Sequence, residues 1–187
     1  MDTQPWTRQL DELTSKFKEQ FGALSQQQLN WKPDAQRWSI AQNLDHLMVI
    51  NSSYFPILES LRQGTYKAPF SARIGFIVRL LGKTLLAAVQ PGAGKKTKTF
   101  PIWEPSASEL PADILERFAR HQQELKQQIS SSEAPLQQGA VISSPANRFI
   151  VYKLETAFDI LIAHERRHLQ QALQVRNELP EGTSLAK

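Results

Sequence analysis

Between Asn147 and Asn177 the chain carries apolar residues that step at helical spacing and end in two histidines. Ile150, Leu154, Ala157 and Leu161 are separated by 4, 3 and 4 residues, and His164 and His168 continue the row by 3 and 4. Side chains three and four apart share one face of a helix. The spacing therefore predicts a helix with both imidazoles on its core-facing stripe, one turn apart. A polar group inside a bundle costs free energy unless it finds a partner, and imidazoles at i and i+4 can share one metal ion. Such a segment demands neighbouring helices and a further ligand from one of them.

The rest of the chain supplies those helices. Leu10, Leu13, Phe17 and Phe21 mark a first block from about Thr7 to Leu24. A second opens at Trp38-Ser39, where Ser39 and Gln42 have the spacing of a capping box. Ile40, Leu44, Leu47, Ile50, Tyr54, Leu58 and Leu61 form its stripe. Pro56 should kink or break it, and Gly64 should stop it. A third block runs from about Ser106 to Ser130, starting at Ser108-Glu109-Leu110-Pro111, with Ile114, Leu115, Phe118, Leu125 and Ile129 as its apolar face. The fourth is the histidine segment, from about Asn147 to Asn177. No strong run of alternating strands is apparent. The expectation is a single domain over residues 1–187, all-α, a four-helix bundle. A long crossover at about 64–105 would let the third helix run parallel to the second. Within it, ARIGFIVRLLGKTLLAAV suits a short helix and PGAGKKTKTFPIWEP suits loop.

Composition narrows the chemistry. There is no cysteine, which excludes disulfide scaffolds, thiolate zinc sites and thiolate nucleophiles. The N-terminal stretch is polar, and no apolar run approaches the ~18 residues of a membrane span, so a soluble cytoplasmic protein is expected. A net charge of +4 does not argue for nucleic acid, and the lysines lack an interleaved aromatic platform. The basic, apolar segment 72–98 reads as a lid over one bundle end in preference to a membrane-surface helix.

Two other histidines remain. His46 lies on the flank of the second stripe with Asn43, Ile50 and Ile57, and can project toward the bundle interior. His121, beside Arg120 and Gln122 in a polar run, reads as a surface residue. His46, His164 and His168 together offer three nitrogens from two helices, which leaves positions on an ion for water or substrate. HERRH (164–168) matches the His-Glu-x-x-His of zinc peptidases, but no third ligand follows and no edge strand is apparent to hold a peptide. Glu165 is the candidate general base, with a surface or interface ion pair as the competing reading. Asn43, one turn before His46, could orient a ligand or make an ordinary interhelix bond. Arg166 and Arg167 read as a solvated face, and Gln170 and Gln171 stay open.

The segment W-K-P-D-A-Q-R-W-S-I-A-Q-N-L-D-H-L (31–47), combined with H-E-R-R-H-L-Q-Q (164–171), resembles the DinB-like superfamily. The resemblance implies an up-down-down-up four-helix bundle, homodimers, and a divalent ion, nickel or zinc, held by His46, His164 and His168. It also implies metal-dependent transfer of low-molecular-weight thiols, or hydrolase chemistry, on a small-molecule substrate. The insert at about 70–104 departs from the general pattern. The expectation is a divalent-metal-dependent enzyme; the alternative is a non-catalytic, metal-containing binding or interaction module.

Overall fold

Four long amphipathic helices bury their stripes against one another. The computed structural model describes residues 2–92 and 99–180. The four are α1 (Gln4–Phe21), α3 (Ile40–Arg62), α5 (Ile114–Ser130) and α7 (Leu154–Asn177), with the short helices α2 (Gln26–Asn30) and α6 (Glu133–Gln137) between them. The core takes Leu10, Phe17 and Phe21 from α1, Ile40, Leu44 and Leu58 from α3, Ile114, Phe118 and Ile129 from α5, and Ala157, Phe158 and Leu161 from α7. Each long helix packs on two others: α1 and α3 both touch α5 and α7. Asp11 pairs with Lys126 and Phe17 meets Phe118, so α1 and α5 run antiparallel. Trp6 donates to Asp159 and Arg176 donates to Gln20, so α1 and α7 run parallel. Asn43 meets His168 and Asn51 meets Glu165, so α3 and α7 are antiparallel.

The local signals at α3 hold. Ser39 Oγ accepts from the Gln42 amide at 3.1 Å, and Gln42 Oε1 accepts from the Ser39 amide at 3.2 Å, a reciprocal capping box. The helix runs unbroken through Pro56. It stops before Gly64, whose φ of 68° is the left-handed C′ conformation that glycine adopts without penalty.

The bounds of two helical blocks need correction, and with them the all-α expectation, because the chain also forms a two-stranded hairpin. The third block starts later than its periodicity suggests, at Ile114. Both backbone groups of Leu110 are taken by the Asn30 side chain, at 2.8 Å each, and so are unavailable to a helix. The fourth block is not helical from Asn147. Residues 147–153 form β2 (Asn147–Lys153), paired antiparallel with β1 (Val141–Ser144), and α7 begins at Leu154. Ile150 therefore reaches the interior from a strand rather than a helical stripe. β-branched and aromatic residues on both sides of Ser-Pro-Ala-Asn carry the hairpin's sequence signature. The Leu154 amide donates to the Ala140 carbonyl at 2.9 Å, so the hairpin hands directly into α7. Tyr152, fully buried, meets the Tyr54 hydroxyl at 2.8 Å and ties β2 to α3.

The long connection contains the expected helix, α4 (Gly75–Val89), preceded by a 3-10 turn (Phe70–Arg73). A second 3-10 turn (Pro101–Trp103) follows. The lysines at 95, 96 and 98 lie outside the described residues. α4 packs on β2 and α7. The approach is close at Gly82, where an added Cβ would sit 3.1 Å from Tyr152 Cβ and 3.2 Å from Thr156 Cγ2. Gly82→Leu should lever α4 away and destabilise the fold by about 1–3 kcal/mol, the usual cost of overpacking. A lowered urea midpoint would show this, and an unchanged one would mean that α4 is not seated as described.

Candidate metal centre

The capping box places the first turns of α3 so that Asn43 and His46 face α7. The Ser39 carbonyl accepts from the Asn43 backbone amide (3.1 Å) and again from its side-chain Nδ2 (2.8 Å). With its amide end held, Asn43 turns Oδ1 toward α7, 2.7 Å from His168 Nδ1. An amide oxygen only accepts, so His168 carries its proton on Nδ1 and leaves the Nε2 lone pair free. His46 is set the same way. Its Nδ1 lies 2.5 Å from the Trp103 carbonyl, which fixes the proton there and frees Nε2. An oriented imidazole with its second nitrogen bonded outward is the usual arrangement of metal-ligating histidine.

The structure brings His46, His164 and His168 together, with one ring nitrogen of each within 4.8 Å of the others. The Nε2 atoms of His164 and His168 are 3.0 Å apart. Two nitrogens on one divalent ion at ~2.0–2.1 Å stand roughly 3 Å apart when cis to one another, so the pair has the spacing that an ion requires. Trp38 covers the group, stacked on His168 at 6.0 Å and tilted on His46 at 4.6 Å. His164 differs from the other two: its Nδ1 is buried and has no hydrogen-bond partner among the described residues. Burial lowers the pKa of all three. That of His46 falls to about 4, although its bond to Trp103 opposes the shift. His164 and His168 fall well below the usual imidazole range, first through burial and then through neighbouring imidazoles and Arg167. The rings are therefore neutral at physiological pH, the state that ligates metal. The donor set fits a divalent ion and does not select one.

The loop that supplies the Trp103 carbonyl is itself clamped by α3. Asp45 accepts from the Ser106 amide at 2.6 Å, and Gln42 Nε2 donates to the Ala107 carbonyl at 3.1 Å. The three imidazoles line a cavity of about 440 Å³. Its wall includes Trp38, Tyr54, Leu85, Val89, Phe100, Trp103, Ile150 and Ile160, with Arg37, Arg167 and Gln171 among the polar residues and, among the described residues, no Asp or Glu. Arg37 is held by both carboxylate oxygens of Glu178, at 2.7 and 2.8 Å. Arg167 donates to the Ala88 carbonyl at 2.7 Å and has no acidic partner among the described residues. Arg166 fits the solvated-face expectation, donating to Gln9 at the surface, whereas Arg167 belongs to the cavity.

Two further residues lie elsewhere than their neighbours in sequence suggest. His121 is 7% exposed, stacked on Phe55 at 5.5 Å, and is not a surface residue. It stands three after Phe118 and four before Leu125, on the apolar stripe, a spacing that its polar neighbours mask. Glu165 is fully buried and is not among the residues of the cavity wall. Its oxygens accept from Asn51 Nδ2 at 2.9 Å and Gln122 Nε2 at 2.7 Å, so it joins α3, α5 and α7. No basic residue pairs with it among the described residues, contrary to the ion-pair reading. Burial pushes its pKa up to about 7, against the two amide donors. Asn51 and Gln122 carry no sequence motif, and their role shows only once three helices meet.

Two outcomes follow from this geometry. Asn43→Ala, which frees the His168 ring, should weaken divalent-metal affinity about 10–100-fold, measured by competition with a chromogenic chelator. The metal-free protein should also be acid-sensitive. For His46 and His121 the folded pKa is about 4 against an ordinary 6.5. The unfolded chain therefore binds protons first, and stability is lost as pH falls from 6.5 through 4. Glu165, with a folded pKa of about 7 against 4.5, works in the opposite direction, losing stability as pH rises through that interval. Four depressed histidines outweigh one raised carboxyl, so the urea midpoint should fall between pH 6.5 and 4. In Glu165→Gln the fall should be steeper.

A family model described as the DinB superfamily matches residues 9–172. The match takes in all three histidines, the long connection and the hairpin. No curated protein and no solved structure matches the chain. With the family match running over most of its 187 residues, the chain belongs to the DinB superfamily.

Proposed function

We propose that this protein is a divalent-metal-dependent enzyme acting on a small molecule, of the thiol-transfer or hydrolase type, with nickel or zinc on His46, His164 and His168. One observation carries the reading: the three imidazoles open onto a cavity of about 440 Å³ instead of being sealed in the core. Three protein ligands leave coordination positions for substrate, and an ion so held lowers the pKa of a bound water or thiol to give a nucleophile at neutral pH. The up-down-down-up order with its long crossover is part of the same proposal, supported by the helix pairings and by the family match.

The protein's own residues do the rest. Asn43 and the Trp103 carbonyl hold two imidazoles in one tautomer and one orientation. Trp38, Phe100, Trp103, Leu85 and Val89 exclude water from the organic body of a substrate. Arg167, on a wall whose described residues include no carboxylate, favours a substrate bearing a negative group. Glu165 acts as a positioning residue in this reading, because both oxygens are occupied by amides outside the cavity wall.

Elemental analysis of the purified protein beside His164→Ala tests the site. The parent should carry about one divalent ion per chain and the variant far less; equal contents would sink the proposal. Metal-loaded protein should then turn over members of a panel of thiols and electrophiles, lose that activity to a chelator and regain it with added ion. Arg167→Gln should raise KM for anionic substrates about tenfold while changing kcat little. A loaded, uniformly inactive protein would favour the binding-module alternative.

A further inference from the structure

α4 has two faces, and the described elements pack on one of them. Val78 and Gly82 are buried against the hairpin and α7, and Leu85 and Val89 border the cavity. The opposite side presents Phe76 and Leu80, 64% and 58% exposed. Two elements that touch α4 also carry exposed aromatic residues. Phe70, in the 3-10 turn that packs on α4, is 75% exposed, and Phe149, on β2 against the same helix, is 71% exposed. Single exposed apolar residues are ordinary, but large ones gathered on touching elements mark an interaction surface.

The charges carried by this segment are of one sign. From residue 60 to residue 103 the sequence contains no Asp or Glu. Lys67, Arg73, Arg79 and Lys83 lie in its described part, with Arg148 beside Phe149, all exposed and none with an ion-pair partner among the described residues. A second copy of the chain is a poor occupant, since a two-fold contact would set this patch against itself and oppose its cations. An anionic bilayer complements both features: acyl chains take the aromatic and leucine side chains, and lipid headgroups take the cations. No described helix is long and apolar enough to cross a membrane, so the contact would be peripheral.

We infer that the outer face of α4, with Phe70 and Phe149, is a docking surface for an anionic membrane. The lid role expected of this segment and membrane contact are then not alternatives, because they use opposite faces of one helix. The inference does not depend on the metal. It does place the rim of the cavity, at Leu85 and Val89, on the helix that meets the bilayer.

Co-sedimentation of the full chain with vesicles tests it, using phosphatidylcholine alone and phosphatidylcholine mixed with phosphatidylglycerol. At about 0.1 M salt, binding to the mixed vesicles should exceed binding to the neutral ones at least tenfold, and should fall at about 1 M salt, where screening is short-ranged. Phe76→Ser with Leu80→Ser, and separately Arg79→Glu with Lys83→Glu, should each reduce it at least tenfold, with melting temperature and metal content unchanged. No preference for anionic vesicles overturns the proposal, as does binding that survives both pairs of substitutions. Sedimentation velocity covers the other occupant: self-association abolished by Phe76→Ser with Leu80→Ser, without vesicle binding, would assign the face to a second copy.

Discussion

The Trp103 carbonyl and the Asn43 side-chain oxygen decide which nitrogens of His46 and His168 carry protons. Everything else at the centre depends on that choice. An imidazole has two nitrogens, and a ligand needs a lone pair on the one that faces the ion. Were either acceptor lost, the ring could turn or change tautomer, and the lone pairs would cease to converge. The constraint reaches back along the chain. Asn43 is oriented by the Ser39 carbonyl, and Ser39 is fixed by its capping box with Gln42. A helix N-terminus thus serves as a rigid mount, and a local folding signal is converted into ligand geometry.

The second support comes from the long connection. Asp45 and Gln42 hold the backbone at Ser106 and Ala107, and His46 closes on the carbonyl at Trp103. The loop is therefore part of the centre, and its aromatic residues form cavity wall. Electrostatics point the same way. Burial keeps all three imidazoles neutral, and among the described residues no carboxylate lines the cavity and none pairs with Arg167. Glu165, the carboxylate that lies between His164 and His168 in sequence, is directed into a separate cluster with Asn51 and Gln122.

Periodicity made the bundle legible because burial selects apolar residues at helical spacing, and the stripes of α1, α3 and α5 coincide with the core. The same rule misled at residues 147–153. Ile150 and Leu154 are four apart, which fits a helix, yet residues 150, 152 and 154 also alternate, and the turn at Pro145-Ala146 lets the chain form a hairpin. His121 shows the opposite error. It stands on the apolar stripe of α5, but its polar neighbours mask that spacing.

The sequence by itself determined the four helical stripes, the cap at Ser39, the stop at Gly64, and the histidine pair on one face of α7, because each follows from contacts a few residues apart. Only the tertiary structure decided the ring tautomers, the membership of Trp103 and Arg167 in the cavity, and the diversion of Glu165 from it. Those outcomes rest on partners 43 to 125 residues away. In the case of Trp103 the partner is a backbone carbonyl, a group that every residue possesses and that no residue type announces.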